Sequence, residues 1–275
     1  MSRLTVLLLT CILSTCGRPP TQPAADTARP ARIVSLDYCA DQYVLKLVDR
    51  EHILAVSPDA TKDFSFMRDA AHGVPTVRPI AEDVLLLKPD LVVRSYGGGP
   101  GAGHFFEQAG VPVLDVGWAP DLPAVLANTQ RIADGLGEHE RGTALVAETQ
   151  ARLDALSKNP KGKTALYMTP AGVTTGPGSL VHEMIVAAGL DNFETSPGWR
   201  SLPLEQLAYE QPDVIAAAFF GTLTNHPDAW SPMKHPVARA QLANHTTVPL
   251  EGAWTSCNGW FLVTGIEALS EGAGE

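Results

Sequence analysis

The sequence predicts an α/β protein of two lobes with mostly parallel sheets, joined by one long helix and separated by a ligand cleft; three observations point there. Short apolar runs alternate with amphipathic segments from residue 31 onward, as in helices packed on a parallel sheet. The stretch AEDVLLLKPDLVV, from residue 81, is echoed by LEQLAYEQPDVIA, from residue 204, each with a glutamate seven residues before a Pro-Asp pair that opens an apolar run. Between these regions a helical pattern over 138–158 would run about 30 Å at about 1.5 Å per residue, enough to bridge two lobes.

In the first lobe, residues 31–122, RIVSL (32–36) and ILAV (53–56) read as buried strands with ADQYVLKLVD (40–49) as the helix between them. Glu82 to Lys88 is a short helix that Pro89 stops, because proline has no N–H for the next backbone hydrogen bond; LVVR (91–94) and VPVLDV (111–116) are strands. Residues 123–160 hold two helical patterns interrupted near Gly135 and Gly137. In the second lobe, residues 161–275, the order restarts: TALYMT (strand), SLVHEMIVAAGL (helix), LEQLAYEQ (short helix), DVIAAAFF (strand), PVARAQLAN (helix), TTVPL (strand) and FLVTGIEALSE (helix). The lobes are thus Rossmann-like, and a chain of 275 residues is long enough for two cores.

Composition sets the compartment and excludes some partners. The formal charge is −10, without a run of lysines or arginines, so the electrostatic footprint of a nucleic-acid binder is missing. MSRLTVLLLTCILSTC, residues 1–16, reads as a secretory signal, too short to span a bilayer as a mature helix. Its end, Leu13-Ser14-Thr15-Cys16, resembles a bacterial lipobox with Thr15 where Gly or Ala is usual, which would make Cys16 a lipidation site. Ordinary signal-peptidase cleavage is the alternative; both readings export the protein, and residues 17–30 read as a Pro- and Ala-rich tether.

Several motifs resolve to bland readings. Gly97 to Gly103 lacks both the Gly-Lys-Ser/Thr ending and the GxGxxG order of a phosphate loop, and Ser179 is not in a nucleophile elbow. The eight histidines are scattered singly, so no dedicated metal site is expected. The aromatics are more informative, because ligands of open α/β sheets sit beyond the carboxyl ends of the strands. Tyr38 follows the first strand, Tyr96 follows LVVR, Trp118 follows VPVLDV, Trp254 follows TTVPL, and Trp199 with Arg200 precedes the second short helix. Together they suit a flat, partly apolar ligand. Cys39 and Cys257 also follow strands, one in each lobe; a disulfide, a ligand contact and two unrelated thiols all remain open.

Residues 31–271 resemble a class III periplasmic substrate-binding protein of an ABC importer, the group that receives cobalamin, ferric siderophores and haem. The resemblance rests on RIVSLDYCADQYVLKLVDREHILAVS, AEDVLLLKPDLVV, AGVPVLDVGW, the long linking helix, LVHEMIVAAGLDNF and WRSLPLEQLAYEQPDVI. It implies a rigid interdomain helix, ligand between the lobes, and one exposed glutamate per lobe, Glu82 and Glu205, docking to arginines of the membrane permease. A carboxylate in the first turn of a helix also has a purely structural use, through the macrodipole.

The expectation is therefore an extracytoplasmic receptor, monomeric and non-enzymatic, that delivers an organic metal chelate to an ABC permease. It has no cofactor of its own; the ligand contains cobalt or iron, and the membrane is met only through a lipid anchor. Its expected ligand-binding residues are Tyr38, Cys39, Tyr96, Trp118, Trp199, Arg200, Trp254 and Cys257. With no basic cluster to neutralise a catecholate, a corrinoid or a neutral hydroxamate chelate fits better, and haem, with Tyr38 or a histidine as axial ligand, ranks behind. The competing classes are an exported enzyme acting on a large planar substrate and a metallochaperone using Cys39 and Cys257.

Overall fold

Asp90 and Asp213 do the same job in two places. Asp90 accepts hydrogen bonds from the amides of Ala31 (2.9 Å) and Arg32 (2.9 Å), just before the first strand. Asp213 accepts from the amide (2.6 Å) and the hydroxyl (3.0 Å) of Thr164, where the fifth strand begins. The backbone N–H of each aspartate answers, donating to Arg32 O (2.9 Å) or Thr164 O (3.0 Å). Each Pro-Asp pair thus follows a short helix and clamps the start of its strand against the neighbouring one.

The computed structural model describes residues 29–156, 162–218 and 234–274; the signal, most of the tether and Cys16 lie outside the described residues. The first lobe contains β1 (Ile33–Ser35), α1 (Tyr38–Leu47), β2 (Ile53–Ala55), α2 (Ala81–Leu86), β3 (Leu91–Arg94), α3 (Ala102–Gln108) and β4 (Val113–Asp115). Then follow α4 (Leu122–Gly135) and α5 (His139–Leu156). The second lobe contains β5 (Thr164–Met168), β6 (Val173–Thr175), α6 (Leu180–Ala187), β7 (Asp191–Asn192), β8 (Trp199–Ser201), α7 (Leu204–Leu207), β9 (Val214–Ala217), α8 (Pro236–Asn244), β10 (Thr246–Pro249), α9 (Gly252–Thr255) and α10 (Leu262–Gly272).

Both main sheets are parallel, in the orders β2-β1-β3-β4 and β10-β9-β5-β7. Matching β5 to β1 and β9 to β3 through the Pro-Asp clamp makes the two orders the same. Side chains alternate between faces: Ile33, Leu91 and Val93 enter one core of the first lobe, Val34 and Val92 the other. Ala165, Tyr167, Val214 and Ala216 likewise part from Leu166, Met168, Ile215 and Ala217. Because both faces are covered, the strands read as continuous apolar runs.

Both α4 and α5 bridge the lobes. On α4, Leu122, Ala124 and Val125 pack in the second lobe and Ile132, Ala133 and Leu136 in the first; on α5, Leu145 packs in the first and Leu153 and Leu156 in the second. With 18 residues, α5 spans about 27 Å. Arg141 on α5 binds Leu47 O and Asp49, whereas Arg152 forms a fork onto Glu267 of α10. A close approach at Gly142 seats the pair, since a Cβ there would lie 2.3 Å from Ala133 Cβ.

Two expectations need correction. Helix α1 begins at Tyr38 rather than residue 40, because Asp37 caps it through the Ala40 amide. Trp199 and Arg200 belong to an antiparallel pair, β6 with β8, rather than to a loop. The segment at Cys257 to Phe261, within the residues 161–275 read as the second lobe, reaches across to the first. Cys257, Trp260 and Phe261 are buried in the first lobe's core beside Tyr43 and Phe66.

Candidate functional site: the cleft between the lobes

Besides α4 and α5, residues just beyond the carboxyl ends of the strands make contacts across the lobes. Tyr38, after β1, reaches Ser256 O (3.5 Å), and the Asn258 amide group donates to Ala119 O (3.3 Å), after β4. Arg68, in the segment after β2, lies 4.0 Å from Glu251, after β10. Cys39 and Cys257 form a disulfide with Cα atoms 5.5 Å apart across 218 residues of sequence. Of the three possibilities for these thiols the disulfide is realised, so neither cysteine offers a thiolate to a ligand. The metallochaperone loses its proposed ligands, and among the described residues no group of three or more His, Cys, Asp or Glu is placed to hold a metal ion.

Asp37 organises the first lobe's side of the cleft. Besides capping α1, its buried carboxylate accepts from the amides of Ser95 (2.7 Å), Tyr96 (3.0 Å) and Gly97 (2.8 Å). The amides that lead into the glycine-rich segment are therefore already taken up by a side chain of the protein. Gly97 allows this closeness, since a Cβ would come within 2.5 Å of Leu36 O. Asp37→Asn turns an N–H group toward amides that need an acceptor, and is expected to cost about 1–3 kcal/mol of stability in urea unfolding. An unchanged midpoint would show that these amides do not depend on Asp37.

This clamp holds Tyr38 and Tyr96 with ring centroids 6.0 Å apart, and Phe64 stands edge-on to Tyr38 at 4.8 Å. Tyr96 is 52% exposed and Phe64 36%, leaving aromatic surface turned outward. Both phenols are pushed above the ordinary tyrosine range, first by burial and then by the charge of Asp37, so they stay protonated. On the second lobe, Trp199 is exposed and stands edge-on to the buried Tyr167 at 6.0 Å. Trp118 is exposed after β4. Trp254 is half-buried, packed on one side against the second lobe's core.

The neighbouring guanidinium groups are engaged within the protein. Arg94 binds Gly97 O and Gly99 O (both 2.9 Å) and lies 3.7 Å from Asp115. Arg131 binds Asp115 O (2.9 Å) and Val116 O (2.7 Å), and Arg200 lies 3.6 Å from Glu194. Phe64 was missed in the sequence because it follows a turn rather than a strand; Asp37 was read neither as the cap of α1 nor as an acceptor for a loop nearly 60 residues away. A separate recess of about 320 Å³, bounded by Arg29, Glu138 and Arg141, lies near the far end of α1 and is not part of the cleft.

One buried acid beneath the site titrates unusually. Asp41 is fully buried on α1 and accepts from Ser57 N (3.1 Å) and Ser57 Oγ (2.5 Å). Burial pushes its carboxyl up to about 6 from 3.8, against the lowering effect of hydrogen bonds from Ser35 and Ser57. The folded state thus holds this proton more tightly than the unfolded one, so the stabilisation is complete below about pH 4 and is lost as pH rises through about 6. Asp41→Asn should gain on the wild type by about 1–3 kcal/mol between pH 4 and pH 7. A pH-independent difference in urea unfolding would overturn this assignment.

Residues 33–219, well over half of the chain, match the family model described as "Periplasmic binding protein". The chain belongs to this family. Its members are periplasmic proteins that bind a solute without transforming it, which sets aside the exported-enzyme reading. Comparison with curated proteins gives no match. Among solved structures, the fold is similar to a periplasmic haem-binding protein from Roseiflexus sp. RS-1, at 23% identity and TM-score 0.65, covering 88% of this chain and 98% of that one. It is similar to a periplasmic haem-binding protein of Vibrio cholerae at 20% identity and TM-score 0.69, covering 87% and 97%. It is also similar to the periplasmic vitamin B12-binding protein of Vibrio cholerae at 19% identity and TM-score 0.63, covering 90% and 97%. Identities at this level establish a common two-lobed fold. Among the described residues no helix is long and apolar enough to cross a membrane.

Glu82 and Glu205 are both exposed, each the second residue of its short helix, α2 or α7. These helices pack on equivalent faces of the two sheets, through Val84 and Leu207. Their acidic neighbours are occupied: Asp83 pairs with Arg78 (2.7 Å), and Glu210 accepts from Gln206 (2.8 Å). Among the described residues neither Glu82 nor Glu205 has a salt-bridge partner.

Proposed function

We propose that this periplasmic binding protein captures an organic metal chelate, a corrinoid or a ferric siderophore, and delivers it to an ABC permease. The observation that carries the reading is the outward-facing group of Tyr38, Phe64 and Tyr96 at the mouth of one sheet, with Trp199 exposed on the other lobe. Such rings match the faces and rims of a large planar ligand. With Arg94, Arg131 and Arg200 engaged by protein acceptors, a highly anionic catecholate chelate meets few free guanidinium groups, whereas a corrinoid or a neutral hydroxamate chelate needs none. The cobalt or iron arrives inside the ligand, and the receptor has no cofactor of its own.

Haem is the second reading, favoured by a tyrosine phenol at the cleft. It ranks behind because Tyr38, its pKa raised by burial and by Asp37, must first lose its proton to ligate ferric iron. Delivery uses Glu82 and Glu205 as paired contacts for arginines of the permease; the receptor acts as a monomer, held at the membrane by a lipid on Cys16. Native mass spectrometry with the visible spectrum of protein purified with its ligand tests the cargo. A corrinoid or ferric chelate in stoichiometric amount supports the reading. A Soret band with the mass of haem selects the second, and a colourless ligand-free protein that binds none of the three overturns both.

A further inference from the structure

We propose that Leu86 and Tyr209 form a matched pair of apolar contacts, one per lobe, that seat the receptor on the external face of a two-fold symmetric permease. The inference rests on the docking role of Glu82 and Glu205 and extends it from charge to shape. Among the described residues Leu86 (79%) and Tyr209 (90%) are the most exposed large hydrophobic side chains. A lone exposed leucine or tyrosine is ordinary. These two are not independently scattered: each follows its lobe's glutamate by four residues and precedes its Pro-Asp proline by three.

Four residues along a helix return to the same face, one turn on. Leu86 closes α2, and beyond α7 the turn continues, with Tyr209 N bonded to Gln206 O (2.9 Å) and Glu210 N to the same oxygen (2.8 Å). Each lobe therefore presents one carboxylate without a salt-bridge partner among the described residues and, one turn away, one large apolar group. Because the lobes share a strand order, the patch occurs twice in equivalent settings. A partner that offers a basic group beside an apolar pocket twice, through its own two-fold axis, meets both copies with one kind of surface. The carboxylates steer the approach and the apolar groups slow departure.

Leu86→Ser, Tyr209→Ser, their double variant and the Glu82→Lys/Glu205→Lys double variant are titrated against the affinity-purified permease complex in lipid nanodiscs. Each apolar replacement is expected to weaken binding about tenfold and both together about a hundredfold, mainly through faster dissociation. The apolar loss persists in about 0.5 M salt, while the difference between charge-reversed and wild-type receptor shrinks. If the apolar double variant binds like the wild type while the charge variant does not, this proposal falls and the docking role stands. If both bind like the wild type, the docking role falls with it. A lowered melting temperature in the apolar double variant would mark these side chains as structural and overturn the proposal.

Discussion

Glu82→Lys combined with Glu205→Lys is expected to abolish uptake of the ligand while leaving its affinity for the purified receptor unchanged. Neither carboxylate lies in the cleft: both sit on short helices against the outer sheet faces, exposed and, among the described residues, without salt-bridge partners. If the proposed docking role holds, reversal replaces two attractions to permease arginines by two repulsions, and at about 2 kcal/mol per site the affinity falls on the order of a thousandfold. The competing structural use of a first-turn glutamate is worth about 0.3–1 kcal/mol each, visible as a small change in melting temperature. Uptake in cells, ligand titration and thermal unfolding of one variant separate these roles. Retained uptake removes the docking function, and lost ligand binding shows that the two glutamates serve the cleft.

The division of labour explains which parts of the molecule were legible in the sequence. Local signals sufficed for the buried strands of the two main sheets and for the echoed helices, because burial on both faces leaves an uninterrupted apolar run and a proline beyond the first turn stops a helix. The equivalence of Asp90 and Asp213 followed from spacing, though their shared clamp on a neighbouring strand did not, since its partners at Arg32 and Thr164 are 58 and 49 residues away. The β6–β8 pair was missed for the same reason: Thr175 and Trp199 meet across a long connection with no turn signature. Strand ends drew attention to Tyr38, Tyr96 and Trp118, and position before the second short helix drew it to Trp199; Tyr96, Trp118 and Trp199 are exposed. Trp254 lies on α9, which begins two residues after Leu250, and is half-buried against the second lobe's core. Likewise, nothing local distinguishes Cys257, Trp260 and Phe261 from the second-lobe sequence around them.

Those three residues lead to the largest expected effect on stability. Cys39→Ser with Cys257→Ser, or reduction of the native protein, is expected to lower stability by about 3–5 kcal/mol, because the bridge closes a loop of 218 residues that the unfolded chain otherwise explores freely. The loss should be cooperative with the aromatic plug beside it. Trp260 stands edge-on to Tyr43 at 5.2 Å, Phe261 stacks on Phe66 at 4.9 Å, and the Tyr43 hydroxyl donates to Asn258 O at 3.0 Å. Together they bind the second lobe's terminal segment into the first lobe's core at the edge of the cleft. Opening the bridge should therefore speed hydrogen exchange of the amides at 256–261 and loosen Tyr38, next to Cys39, before either sheet unfolds. Urea unfolding with and without reductant measures the first effect and exchange mass spectrometry the second. A reduced protein with unchanged midpoint and exchange would mean that the packing of Trp260 and Phe261, with the bridging helices, holds this segment without the disulfide. Since α4 and α5 also span both lobes, the double variant should remain folded, and weakened ligand affinity would then report the position of Tyr38 rather than loss of the fold.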